Sequence, residues 1–242
     1  MSLNNQVILV TGAGGGLGGT AAMALAKQGA EVILLDKSIP KLEKTYDAIR
    51  ALGWPEPVMY PFDLAGASEA QYQEMADAIE QRYGALQGLL HSAAEFSAYT
   101  PLAIHKTQDW GHTLNVNLNA PFLLTRVLLP LLQNSLQASI VFTSDSTVRQ
   151  PKAYSGAYGV SKIAVEGLAK ILAEELEAGQ KIRVNTLIPG PVDSPMRKKA
   201  FPAEDKTQLP SMSSLDSLYC YLFDNASSGM TGQTIDAQTF KF

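Results

Sequence analysis

The 242-residue sequence predicts an α/β protein built on a doubly wound, mostly parallel sheet with helices on both faces. Three observations carry this expectation. Short apolar, β-branched runs alternate with longer helical patterns from Val7 to Ala237. The first run, Val7–Val10, leads directly into a glycine-rich turn and then a helix. No repeat, linker or composition break interrupts the alternation, so one domain over residues 1–242 is expected.

In chain order, Val7–Val10 reads as a buried strand and Thr20–Gln28 as a helix with Gly29 at its C-cap. Glu31–Leu35 is the second strand, ending at Asp36, and Ile39–Leu52 an amphipathic helix closed by Gly53. Val58–Phe62 is the third strand, running into Asp63-Leu64. A helix follows over Ser68–Tyr83, capped by Ser68 and closed by Gly84. Leu86–Leu90 leads into His91-Ser92-Ala93-Ala94. Asp109–Asn134 reads as one long helix whose leucines leave little polar face, which calls for burial against the sheet on one side and a second subunit on the other. Then come the strand Ser139–Thr143, a polar loop over Ser144–Ser155 and the helix Gly156–Ala178. The strand Ile182–Ile188 ends in Pro189-Gly190. Residues 191–212 read as a mobile loop over a substrate pocket, followed by the helix Ser214–Asn225 and a last strand, Gln233–Ala237.

Composition narrows the function classes. Hydrophobic residues make up 46% and charged residues 17%, the balance of a soluble globular chain. A net charge of −4 argues against a nucleic-acid surface, which needs a basic face. The greasiest segment, Pro121–Leu132, is too short to span a bilayer and carries Arg126, so no membrane association is expected. Cys220 is the single cysteine and no signal-peptide pattern opens the chain, which together predict a cytoplasmic protein. No metal is called for.

Thr11-Gly12-Ala13-Gly14-Gly15-Gly16-Leu17-Gly18 places five glycines in eight residues between a strand and a helix. Such a turn lets backbone N–H groups and the positive end of the helix face a phosphate. Gly14, Gly16 and Gly19 meet the G-x-G-x-x-G spacing. Thr11, Gly12, Gly16 and Gly18 meet T-G-x-x-x-G-x-G, and here the sequence resembles the short-chain dehydrogenase/reductase family. The resemblance implies a Rossmann-type fold, a nicotinamide dinucleotide, an alcohol or ketone substrate, and a homodimer or homotetramer. Asp36, 18 residues past Gly18, suits hydrogen bonds to ribose hydroxyls. Its charge opposes the 2′-phosphate of NADP, whereas Lys37 favours it, and the lean is to NAD with NADP left open. The resemblance adds Asp63 and Leu64 beside the adenine. It places Ser92 and Ala93 near the cofactor, where Ser92 stands for an Asn that ties neighbouring strands. Pro189, Gly190, Val192 and Ser194 fall at the nicotinamide carboxamide.

Tyr158 and Lys162 lie four residues apart on a helix and share a face. A lysine cation there stabilises a phenolate and lowers the tyrosine pKa, making Tyr158 usable as an acid or base. The resemblance implies that Lys162 also holds the nicotinamide ribose. It assigns Asn117, in Asn115-Val116-Asn117-Leu118, the relay water; a buried Asn bridging a helix distortion is compatible with that. His91 reads as structural. The family's substrate-binding Ser, 13 residues before the Tyr, is replaced by Asp145. An ionised Asp only accepts hydrogen bonds. Three readings follow: Ser144 or Ser146 is recruited by a local bulge, ranked first; Asp145 is protonated and donates; or the chain is a catalytically impaired dinucleotide-binding scaffold or sensor. Glu95, Phe96, Arg149, Tyr154 and the 191–212 loop are expected to wall the substrate pocket. The closing stretch Gly229–Gln238 resembles the family's last strand, and more narrowly that of a bacterial oxidoreductase subgroup without assigned substrate.

Overall fold

In the computed structural model, residues 1–148 and 150–241 are described. Seven strands pair in parallel in the order β3-β2-β1-β4-β5-β6-β7. They are β1 (Val7–Thr11), β2 (Glu31–Asp36), β3 (Val58–Pro61), β4 (Gly88–His91), β5 (Ala138–Thr143), β6 (Ile182–Ile188) and β7 (Thr234–Asp236). The chain winds outward from β1 to β3, then returns to the other side of β1 with β4. That reversal opens a crevice at the carboxyl ends of β1 and β4. Strands β5 and β6 are buried along their whole length, as a sheet covered on both faces requires; the polar residues of β6 are paired, Arg183 with Ser227 and Asn185 with the Met230 carbonyl.

Helices α1 (Gly16–Lys27), α2 (Ile39–Ala51) and α8 (Asp216–Phe223) cover one face, where Leu25, Leu42, Ile49 and Tyr219 pack on Ile8, Val10 and Leu34. Helices α3 (Glu69–Tyr83), α5 (Ala120–Gln133) and α6 (Gly156–Leu176) cover the other, with Tyr72, Leu128 and Val165 against Leu9, Ile33 and Ile140. Helix α3 begins at a full capping box between Ser68 and Gln71 and ends at left-handed Gly84.

The sequence expectations need three adjustments. Helix α1 starts at Gly16, inside the glycine run, so the turn is shorter and the helix end nearer the crevice. The long helix is α4 (Thr107–Leu114) and α5 joined by a π-helical turn over Asn115–Asn119. In the single chain its outer face leaves Phe122 48% exposed, on the side where a second subunit is expected. The 191–212 loop contains a helix, α7 (Pro195–Ala200), held by Arg197 to Glu204 and by an isolated bridge between Asp193 and Ser211. None of the described helices is long and apolar enough to cross a membrane.

Candidate active site

The glycine turn packs tightly on one side and is open on the other. A Cβ on Gly18 would stand 2.4 Å from the Gly12 carbonyl oxygen, so helix and turn touch only because the residue is glycine. Gly15 and Gly16 face outward: a Cβ on Gly15 meets nothing within 4 Å, and one on Gly16 only Pro195, at 4.0 Å. Helix α1 has no side-chain cap at Gly15, so its first N–H groups point into this open space. Gly14, Leu17 and Gly12 complete the cradle, and its shape and positive end fit a pyrophosphate.

Thr11 ties the cradle to β4. Its hydroxyl donates to the Leu90 carbonyl (3.3 Å) and accepts the N–H groups of Ser92 and Ala93, both at 3.0 Å. This is the strand tie that the sequence reading sought at Ser92, whose own hydroxyl is buried without a protein partner. At the end of β2, the Asp36 carboxylate accepts the N–H groups of Gly14 (3.3 Å) and Ser38 (2.9 Å), which pins it against the turn. Lys37 and Lys41 next to it are exposed and carry no ion pair among the described residues. The side chain of Asp63 accepts from Ala65 N–H (3.1 Å) and organises a turn, while Leu64 gives its carbonyl to Tyr72. His91 is buried, stacked on Phe142 and hydrogen-bonded to Thr125 at 2.8 Å; burial depresses its pKa to about 3, leaving it neutral and structural.

Helix α6 brings Tyr158 and Lys162 to the carboxyl end of β5. Lys162 is buried, its ammonium donating to the Thr143 carbonyl at 2.8 Å, and burial lowers its pKa to about 8. The Nζ lies 5.7 Å from the centre of the Tyr158 ring. Asn117 sits in the π turn, a distortion that turns its side chain inward. It accepts the Glu95 N–H (2.7 Å) and donates to the Glu95 carbonyl and to Ser161 Oγ, both at 3.0 Å. Ser161 in turn donates to the Tyr158 carbonyl at 2.7 Å, so Asn117 links the loop after β4 to the catalytic helix.

Two expectations about the substrate-facing group are corrected. The structure brings Asp145, and neither Ser144 nor Ser146, to the Tyr158 hydroxyl. The hydroxyl donates to Asp145 Oδ2 at 3.3 Å, while Oδ1 accepts the Thr147 N–H at 2.9 Å. Ser144 is buried and donates to the Lys162 carbonyl, and Ser146 is exposed. Alternation at the strand end sends its neighbours away from the side Asp145 takes. Nor is the Tyr158 pKa lowered: burial first, then the charge and hydrogen bond of Asp145, hold it well above 10. Lys162 stands beside the ring rather than at the hydroxyl, so the nearest charge is the anion.

The pocket wall is aromatic. Phe96 packs edge-on against Tyr158 (5.3 Å between ring centres) and Tyr99 (5.2 Å), and Tyr99 meets Phe201 at 5.6 Å. Lys199 of α7 donates to the Phe96 carbonyl at 2.5 Å, and Arg197 lies over the Phe201 ring. Phe201 belongs to the 191–212 loop expected at this wall, though it was not singled out there; Tyr99 was missed in the sequence, where an isolated aromatic in a loop carries no spacing signal. Glu95 stands 3.8 Å from His112, whereas Tyr154 lines a separate shallow groove with Leu102, Val160 and Ile163. Arg149 lies outside the described residues. At the carboxyl end of β6, Gln238 donates to the Pro189 carbonyl (2.8 Å) across left-handed Gly190. Val192 is buried, and the Ser194 hydroxyl caps α7 by accepting the Arg197 N–H at 3.1 Å.

Residues 6–205 match the short chain dehydrogenase family. The chain belongs to the short-chain dehydrogenase/reductase family. It is 40% identical to the uncharacterized oxidoreductase YciK of Escherichia coli K12 over 236 residues, covering 98% of this chain and 93% of that protein. A Shigella flexneri protein solved in complex with NADP superposes with a TM-score of 0.94 at 40% identity, covering 97% of this chain and 98% of the other. An Escherichia coli CFT073 protein complexed with NADPH gives a TM-score of 0.93 at 40% identity, with 97% of each chain covered. In this short-chain dehydrogenase/reductase, the cradle, the Asn117–Ser161–Tyr158 link and buried Lys162 therefore stand in a seven-stranded parallel sheet that the family shares.

Proposed function

We propose that the protein is an NADP(H)-dependent oxidoreductase that interconverts a carbonyl carbon and its alcohol, with Tyr158 exchanging the proton. The observation that carries this reading is the Tyr158 hydroxyl, presented at the mouth of the crevice with buried Lys162 beside its ring. The pyrophosphate belongs in the Gly12–Gly18 turn, and the ribose at Lys162. The cofactor supplies or accepts the hydride; the protein's part is to position and to move protons.

Burial and Asp145 hold Tyr158 in its protonated form, the form that gives a proton in the reductive direction. Asn117 holds the relay water, since its link to Glu95 and Ser161 fixes the π turn beside Tyr158. The NADP preference replaces the lean toward NAD. Asp36 is already engaged by Gly14 and Ser38, Lys37 and Lys41 are free to meet a 2′-phosphate, and relatives 40% identical were solved with NADP and NADPH. Exposed Phe122, Val160, Ile163 and Ile171 on α5 and α6 support a homo-oligomer, which sedimentation analysis tests.

The deciding experiment follows NADPH consumption over a panel of ketones and aldehydes. Tyr158→Phe is expected to abolish turnover while cofactor affinity stays within about twofold, because the hydroxyl acts only on the proton. Comparable turnover in that variant would sink the mechanism. A higher affinity for NADH than for NADPH would reverse the cofactor assignment.

A further inference from the structure

Asp145 is an anion where the reacting heteroatom of a substrate must sit. Its Oδ2 accepts from the Tyr158 hydroxyl at 3.3 Å, and no basic side chain is paired with it among the described residues. Lys162 and Arg197 feel its charge, but the nearby cations direct their N–H groups to other acceptors. Lys162 is held by the Thr143 carbonyl, Arg197 by both oxygens of Glu204 (2.6 and 2.5 Å), and Lys199 by the Phe96 carbonyl. The rest of the wall is aromatic, from Phe96, Tyr99 and Phe201.

We propose that the reacting group taken by this site is a protonated nitrogen: the C=N–H⁺ of an aryl-substituted cyclic iminium, with the secondary amine as its reduced partner. The inference rests on the hydride-transfer part of the reading above and puts a C=N group in place of the carbonyl, a reaction for which Tyr158 gives up no proton. A carbonyl oxygen only accepts hydrogen bonds and becomes more negative as it is reduced, so the carboxylate opposes it in the ground state and more strongly toward the alkoxide. An iminium N–H donates to the carboxylate, and so does the amine it becomes. The carboxylate also holds the nitrogen in its protonated, electrophilic form near neutral pH. Aromatic faces together with one buried-edge anion are a suitable surround for an organic cation.

The step balances. The iminium carbon gains a hydride and its two electrons from the reduced nicotinamide, whose ring is oxidised. The C=N π pair becomes the nitrogen lone pair, the N–H bond is retained, and the neutral secondary amine picks up a proton from water after release.

The test is calorimetric binding at neutral pH of 2-phenylpyrrolidine, a cation, against its neutral isostere 2-phenyltetrahydrofuran. The wild-type protein is expected to bind the ammonium at least about tenfold more tightly. Asp145→Asn keeps an acceptor for the Thr147 N–H and is expected to erase that advantage, with ether affinity held or raised because the amide N–H can donate to the ether oxygen; Asp145→Ser serves as a second variant, with melting curves verifying the fold. Equal affinities in the wild type, which need no variant, overturn the proposal, as does an advantage that survives in Asp145→Asn. In parallel, NADPH consumption is followed with 2-phenyl-1-pyrroline and with acetophenone. Ketone reduction without ammonium preference overturns this inference and leaves the oxidoreductase reading standing. Asp145-dependent ammonium binding with neither substrate turned over leaves Asp145 as a cation site only and overturns the iminium reduction together with the hydride reading.

Discussion

The Tyr158 hydroxyl donates to Asp145 Oδ2 at 3.3 Å, so the group proposed to exchange the proton faces a carboxylate. Two unit charges about 4 Å apart interact by about 4 kcal/mol at an effective dielectric constant near 20. An alkoxide forming beside Asp145 meets a repulsion of that order. Asp145→Ser replaces the anion with a hydroxyl that donates, and ketone reduction in this variant is expected to rise by roughly 10- to 1000-fold in kcat/KM. Steady-state kinetics on any working ketone measure it. No rise would discard the reading of Asp145 as an impairment of carbonyl chemistry.

The pH profile should separate the two directions. Tyr158 stays protonated well above pH 10, the form that reduction needs, so acid–base behaviour of the tyrosine sets no alkaline limit below that. Lys162, lowered to about 8 by burial, is cationic below that pH and neutral above it. Reduction is therefore expected to hold steady toward acid and to fall as pH climbs through about 8. Alcohol oxidation, which needs the phenolate, keeps rising beyond pH 10. Removing Asp145 lowers the Tyr158 pKa and, with the same carboxylate no longer raising it, lowers that of Lys162 as well. Both limbs should move to lower pH in Asp145→Ser, and unmoved limbs would contradict the electrostatic account.

Two glycines of one turn should fail differently. Gly16 has a φ of +55° with its Cβ direction open, so Gly16→Ala costs about 1–2 kcal/mol of backbone strain and places a methyl group in the phosphate cradle. Gly18→Ala drives a methyl to 2.4 Å from the Gly12 carbonyl oxygen, a backbone atom that cannot swing away. Thermal melting and NADPH titration together test this: Gly16→Ala loses affinity more than stability, Gly18→Ala loses both. A Gly18→Ala protein as stable as the wild type would show that α1 and the turn are looser than this packing requires.

Strand and helix periodicity made the sheet legible, because each element's signal lies within its own window of residues. The Tyr158–Lys162 pair was legible for the same reason. What stayed hidden depends on contacts between distant parts of the chain or on where one side chain points. The π turn at Asn115–Asn119 has the composition of an ordinary helix. The alternation argument placed Ser144 and Ser146 on the side away from Asp145, and the recruitment of either one needed a bulge that the chain does not make. The sign of the Tyr158 shift followed from its burial first and from that contact with Asp145 second. Tyr99 and Phe201 meet across about a hundred residues of sequence, from two loops with no shared pattern.

Thr11 shows how such a distant contact can be tested. Its hydroxyl accepts two N–H groups from Ser92 and Ala93, about eighty residues away, and donates to Leu90. Thr11→Val keeps the shape and removes the oxygen, leaving both N–H groups at the crevice without their acceptor. Each such loss costs about 1–3 kcal/mol where water cannot reach, against a total stability of about 5–15 kcal/mol for a typical domain. Thr11→Ser keeps the oxygen and is expected to cost less than about 1 kcal/mol, from the lost methyl alone. Denaturant unfolding of the three proteins should order them wild type, Ser, Val. The loop after β4 also carries Glu95, which Asn117 grips, so Thr11→Val is expected to lower turnover beyond its effect on NADPH affinity. If Val and Ser variants unfold together, the hydroxyl is not what joins the cofactor turn to the catalytic side of the crevice.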